Sequence, residues 1–162
     1  MKKTFAFLAV TMFWVGTAQA EWVLRSPEAS DDNGSAYVEN EQGHRLDIGC
    51  GNGGLIGISL TPDTRPEELM FVDDGAVIFF RVDGAEPGLQ MPATCGPHGC
   101  YQDFMLGGEP WPVSQMRDIT SALRAGTTVD VTLGGQVMST FDLTGSAAAL
   151  DGLKTRTSCD GL

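Results

Sequence analysis

Four cysteines stand behind a secretion signal, and this limits the fold more than any other feature of the chain. Met1-Lys2-Lys3 is a short basic start, Phe5 to Val15 is an apolar run broken only by Thr11, and Ala18-Gln19-Ala20 is the small-x-small pattern read by a signal peptidase. The run is too short to span a bilayer as a helix. Residues 1–20 are therefore expected to be a cleaved signal peptide, and residues 21–162, beginning at Glu21, a single β-sandwich domain. Cys50, Cys95, Cys100 and Cys159 all lie in the exported part, in a compartment where disulfides persist.

Four cysteines allow three pairings. Cys95 and Cys100 enclose only Gly96-Pro97-His98-Gly99, a segment built to turn, so local pairing asks little of the backbone. That leaves Cys50 for Cys159. On the chain-entropy account the short loop contributes about 2 kcal/mol and the long one about 5. Cys95-x4-Cys100 also invites a redox or metal reading with His98. A redox pair normally spaces its cysteines by two at a helix N-terminus, and zinc needs four ligands. A structural staple is the expectation, with no metal and no cofactor.

Charge narrows the partners. Removing 20 of 162 residues leaves 142, enough for a real core. The two lysines of the signal leave with it, so 8 basic residues face 21 acidic ones, a net charge of −13. Such a chain is repelled by nucleic-acid phosphates and anionic lipid headgroups. No second apolar stretch is long enough for a membrane span. Solubility is one use of this charge; attraction of a basic partner is the other.

The chain reads as turn-punctuated strands. Trp22-Val23-Leu24 opens the domain, and Ser35 to Glu39 and His44 to Cys50 form a hairpin joined through Asn40 to Gly43. Leu46, Ile48 and Cys50 alternate with Arg45, Asp47 and Gly49, which puts Cys50 on the core face. Ile56, Ile58 and Leu60 repeat the alternation. Asp73-Asp74-Gly75 reads as a hairpin turn between Leu69–Val72 and Ala76–Val82, and Val77 to Phe80, apolar on both faces, as a central strand. Asp83 to Pro97 reads as irregular and Cys100 to Leu106 as a short strand. A helix follows, N-capped by Ser114 and closed by Gly126. Thr127–Leu133 and Gln136–Leu143 flank Gly134-Gly135 as a hairpin, and a second helix, capped by Ser146, covers Ala147 to Lys154. No strand–helix–strand repetition is present, so the expected class is mainly β: an antiparallel β-sandwich with one or two short helices.

No catalytic constellation emerges. His44 and His98 are the only histidines, and the chain has no G-x-S-x-G elbow. His44 borders a strand and reads as an edge residue. Asp31-Asp32-Asn33 lacks the spaced carboxylates of a calcium loop and reads as a solvated turn. Trp111, held between Pro110 and Pro112 outside regular structure, is the candidate recognition residue. The competing reading is a lid folded onto the core edge.

The C-terminal half carries a resemblance. Val82-Asp83-Gly84, the Cys95 to Cys100 segment, Leu123-Arg124-Ala125-Gly126, Val129-Asp130-Val131, Phe141-Asp142-Leu143-Thr144-Gly145-Ser146, Ala149-Leu150 and Leu153 follow in an order that resembles the invasion-associated locus B family of secreted and periplasmic bacterial proteins. The likeness covers about residues 76–153 and implies a non-enzymatic β-sandwich. The N-terminal half departs from it, lacking an early cysteine. Trp22, Leu46-Asp47-Ile48-Gly49-Cys50, Arg81-Val82-Asp83, Phe141 to Gly145 and Cys159 look instead like a periplasmic accessory protein of type VI secretion, in which Cys50 and Cys159 have counterparts. Both imply a periplasmic or secreted binding or assembly protein of the cell envelope. Its partner is expected to be an envelope protein or a basic external protein. An acidic inhibitor of a basic enzyme such as lysozyme is the alternative.

Overall fold

The structure, a computed structural model, describes residues 21–25, 34–51, 54–61, 73–96, 99–102, 105–106, 109–110, 113–157, 159 and 162. The elements are β1 (Val23–Arg25), β2 (Gly34–Glu39), β3 (Arg45–Cys50), β4 (Ile56–Thr61), β5 (Asp73–Val82), β6 (Leu89–Gly96), β7 (Gly99–Gln102), β8 (Met105–Leu106), β9 (Glu109–Pro110), α1 (Val113–Ala125), β10 (Thr128–Leu133), β11 (Gln136–Asp142) and α2 (Ser146–Arg156). The expected signal peptide, the Asp31-Asp32-Asn33 turn, the Leu69–Val72 segment, His98 and Trp111 lie outside the described residues.

Among the described residues nine strands share one antiparallel sheet in the order β1-β2-β3-β4-β7-β6-β5-β10-β11, with β8 and β9 as a separate pair. The mainly β, antiparallel class holds. The two sheets of a sandwich are not what the hydrogen bonds make: one long sheet curls until its far strand meets its near end. Asn40 Nδ2, in the β2–β3 turn, donates to the Thr140 carbonyl of β11 at 3.2 Å, and His44 bonds Ser139 through Nδ1. Strand twist accumulates over nine strands, and two irregularities of register add to it, between Asp74 and Ala76 and between Val131 and Thr132.

The core lies inside the curl. Ala36 and Val38, Leu46, Ile48 and Cys50, Ile56, Ile58 and Leu60, then Ile78 and Phe80 are buried at every second position, the signature of a sheet with one face covered. α1 packs on β5 and β6 and α2 on β1 and β2, and the helices touch each other. Met116, Ile119 and Leu123 of α1 and Leu150 and Leu153 of α2 complete the interior. A Cβ at Gly126 would run into Val82 Cγ1, so only glycine lets α1 end this close to β5.

Three local expectations are corrected. Asp73-Asp74-Gly75 is not a hairpin turn: β5 runs through it, pairing Asp73 with Cys95 and Asp74 with Thr94 before the register slips to Ala76 and Ala93. Gly75 is the extra residue of a bulge. Residues 89–96 are not irregular but form β6. Pro92 hides this strand, because proline argues against a central position. Among the described residues β7 pairs with Ala93 to Gly96 and not with Pro92, an edge-like position on that side that tolerates proline. The helix caps also differ. α1 begins at Val113, with Ser114 inside it. Gly145, with φ 90°, caps α2 without a side chain, while the Ser146 hydroxyl donates to the Leu123 carbonyl at 2.8 Å. Ser146 thus satisfies an orphan carbonyl in the last turn of α1.

Both disulfides pair as expected. Cys50 joins Cys159 across 109 positions with Cα atoms 5.9 Å apart, and Cys95 joins Cys100 with Cα atoms 4.0 Å apart. No described helix is long and apolar enough to cross a membrane. Disulfides and this absence are together compatible with an extracytoplasmic protein.

Candidate functional site

With the inner face of the sheet committed to the core, the half-buried and exposed side chains of the described strands lie on the outer face. Across β2, β3, β4, β7 and β6 the register aligns Tyr37 with Asp47, Asp47 with Ser59, Ser59 with Tyr101 and Tyr101 with Thr94. These residues alternate with buried neighbours, so their side chains share the outer face. Three strand spacings separate the two tyrosines, about 14 Å along the row. Tyr101 is 47% exposed.

Tyr37 carries two guanidinium groups over its ring, Arg45 at 3.7 Å and Arg25 at 5.1 Å from the centroid. Arg25 faces Ser35 on the neighbouring strand, diagonal to Tyr37, and Arg45 is ion-paired with Asp47. Cation–ring attraction fixes the orientation of the aromatic. Two of the chain's ten basic residues are thus gathered on one ring.

The row beside the tyrosines is flat. Ser35 aligns with Gly49, and Gly49 with Gly57. A Cβ at Gly57 would meet nothing within 4 Å, and one at Gly49 only the Gly57 carbonyl at 3.9 Å. Packing does not demand glycine at either place, and glycine weakens a strand. Their effect is a low floor beside the row that holds Tyr37 and Tyr101, and a ligand lying there would meet phenol rings, a guanidinium–carboxylate pair and small hydroxyls.

The structure joins His44 to Ser139, a contact invisible in the sequence. His44 is half-buried and Ser139 is 3% exposed. No carboxylate bonds the ring among the described residues, and burial keeps the Ser139 hydroxyl from a substrate. The contact closes the seam between β11 and the β2–β3 turn. Cys95 and Cys100 face each other across β6 and β7, both about 1% exposed and bonded, in the position of a staple. Among the described residues no group of three or more histidine, cysteine or acidic side chains could hold a metal.

Two carboxylates titrate below the ordinary range. The Thr127 hydroxyl and the amides of Thr128 and Thr127 hold Asp83 down. The Thr144 side chain and amide do the same for Asp142. Both are hydrogen-bonded corners, so their shifts report structure.

No protein-family profile, curated protein or solved structure matches the chain. The outer row was missed in sequence because its members are scattered over five strands. Alternation marks Tyr37, Asp47 and Ser59 as outward-facing, but nothing local says that β7 lies beside β4.

Proposed function

We propose that the chain is a non-enzymatic binding or assembly protein of the bacterial cell envelope, periplasmic or secreted, as its resemblance to the invasion-associated locus B family implies. The outer-face row carries this reading: two tyrosines, paired arginines and a glycine floor on a sheet whose other face is fully used. Tyrosine and arginine are the side chains that most often anchor a protein partner. Trp111 joins them on its sequence context alone. The signal sequence and the two disulfides support the compartment. On this reading the reactive-looking residues are structural, and no side-chain nucleophile, cofactor or metal is needed.

A photo-crosslinking amino acid introduced at Ser59 tests it in the native cell. We expect one envelope protein to be captured, and capture to fall strongly in Tyr101→Ala, by about 2 kcal/mol if that ring is an anchor. Undiminished capture in Tyr37→Ala and Tyr101→Ala, with folding intact by circular dichroism, would sink the row as the site. Gly57→Thr makes a sharper test. A β-branched residue should stabilise β4 by up to about 1 kcal/mol, yet it raises the floor and should reduce capture. Stability and binding should move in opposite directions.

The net charge of −11, or −13 once residues 1–20 are removed, favours a second reading, an inhibitor of a basic enzyme. Capture that collapses between low and high salt, together with suppression of lysozyme activity, would select it over the assembly role.

A further inference from the structure

An open cleft of about 550 Å³ lies between the start of β1 and the N-terminus of α2, lined by Glu21, Trp22, Leu24, Thr144, Gly145, Ala148 and Ala149. Small-ligand sites fall in this size range. Two independent features place unused hydrogen-bond donors here. α2 is an 11-residue helix whose N-cap, Gly145, has no side chain, and its first turn holds no acidic residue. The Ser146 amide donates to Leu143 and the Ala149 amide to Gly145, while those of Ala147 and Ala148 have no acceptor among the described residues. The second feature is Trp22. It is 9% exposed, and its indole Nε1 is buried without a partner. Cδ1, the indole carbon bonded to this nitrogen, lies 4.0 Å from where a Cβ on Gly145 would sit, which brings that edge of the ring beside the N-terminus of α2. A buried unpaired donor is costly, and a helix N-terminus favours negative charge.

Apolar walls from Leu24, Ala148 and Ala149 flank these donors, and Glu21 stands at the rim. We propose that this cleft captures the free C-terminal carboxylate of a peptide whose last residue is aliphatic. The carboxylate meets the α2 amides and the indole N–H, and the side chain lies on Leu24 and the alanines. Capture of a terminal carboxylate by backbone amides is an established recognition mode. A free fatty acid offers the same head and tail, but the strongly negative net charge, −11 for the full chain, repels a lone anion. A basic peptide is drawn in despite its terminal carboxylate, and a lysine or arginine before the last residue can pair with Glu21. The proposal rests on the reading of the chain as a binding protein but uses none of the outer-row residues.

The test is fluorescence titration of the disulfide-bonded exported protein with a basic hexapeptide ending in leucine, as the free acid and as the amide, and with octanoate. The free acid should bind at least tenfold more tightly than the amide and more tightly than octanoate. Trp22→Phe removes only the N–H and should weaken the free acid about tenfold. Ala148→Glu puts a carboxylate into the first turn, which raises helix stability while abolishing binding. Equal binding of acid and amide, octanoate binding as tightly as the peptide, an Ala148→Glu protein that binds normally, or no binding of the acid at 1 mM would each overturn it. Loss of peptide binding with Ser59 cross-linking intact would count against this cleft and leave the outer row standing.

Discussion

Asp83 shows how one side chain can hold a corner at several points. Its backbone has φ 50°, a left-handed conformation that aspartate and asparagine tolerate better than most residues. Its carboxylate accepts from the Thr127 amide at 3.0 Å, the Thr127 hydroxyl at 2.6 Å and the Thr128 amide at 2.9 Å, and its own amide donates to the Thr128 carbonyl at 3.0 Å. These bonds join the end of β5 to the start of β10. They favour the charged form, so the folded-state pKa lies below the unfolded one. The stabilisation is therefore present above the unfolded-state value and lost as pH falls through the folded one. Asp83→Asn keeps an acceptor and the backbone preference but cannot titrate. Its stability deficit relative to the natural protein should be largest at neutral pH and shrink on acidification below the ordinary carboxylate range. Asp83→Ala should be the less stable of the two at neutral pH, since it loses every side-chain bond and is strained at positive φ. Thermal melts at neutral and acidic pH check both statements, and a deficit that grows on acidification would contradict the assignment.

Between elements, the long disulfide ties the end of β3 to the tail beyond α2. Cys50 and Cys159 are both buried and close a loop of 109 positions, whereas Cys95 and Cys100 are five apart. Replacing both Cys50 and Cys159 by alanine should cost about 5 kcal/mol, and replacing Cys95 and Cys100 about 2, on the loop-entropy account. Urea unfolding measures the difference, and an equal or reversed order would refute it. These pairings were legible in the sequence because the short loop is sterically simple and leaves a single alternative. The β2–β3 and β10–β11 hairpins were legible too: apolar alternation brackets Asn40 to Gly43 in one and Gly134-Gly135 in the other. β6 was not, since Pro92 suggests a break, and among the described residues its pairing with β7 starts only at Ala93. Asp73-Asp74-Gly75 has turn composition, yet a glycine also suits a bulge, and sequence does not separate the two. The outer row depends on β7 crossing back beside β4, a non-local pairing that no local pattern encodes.

At the scale of the whole molecule, a nine-stranded open sheet has two edges that could recruit other chains. β1 is only three residues long, and α2 packs against it. β11 is longer, and Val137 is 56% exposed on it, but its middle is met by the β2–β3 turn through Asn40 to Thr140 and His44 to Ser139. The seam should behave asymmetrically under mutation. Ser139 is buried, so His44→Ala leaves its hydroxyl without a partner and should cost about 1–3 kcal/mol. Ser139→Ala leaves a half-exposed imidazole that water can reach, and should cost about 1 kcal/mol or less. Removing both partners also removes the unsatisfied hydroxyl, so the double variant should be no less stable than His44→Ala alone. A double-mutant cycle by urea unfolding measures this coupling, and additive losses would show that the two side chains act independently. The same cycle separates a latch from a catalytic pair. For a latch, partner capture through the Ser59 cross-linker should persist in all three variants at temperatures where they remain folded. Loss of function in His44→Ala with the fold and capture intact would instead make the histidine chemical and overturn the non-enzymatic reading.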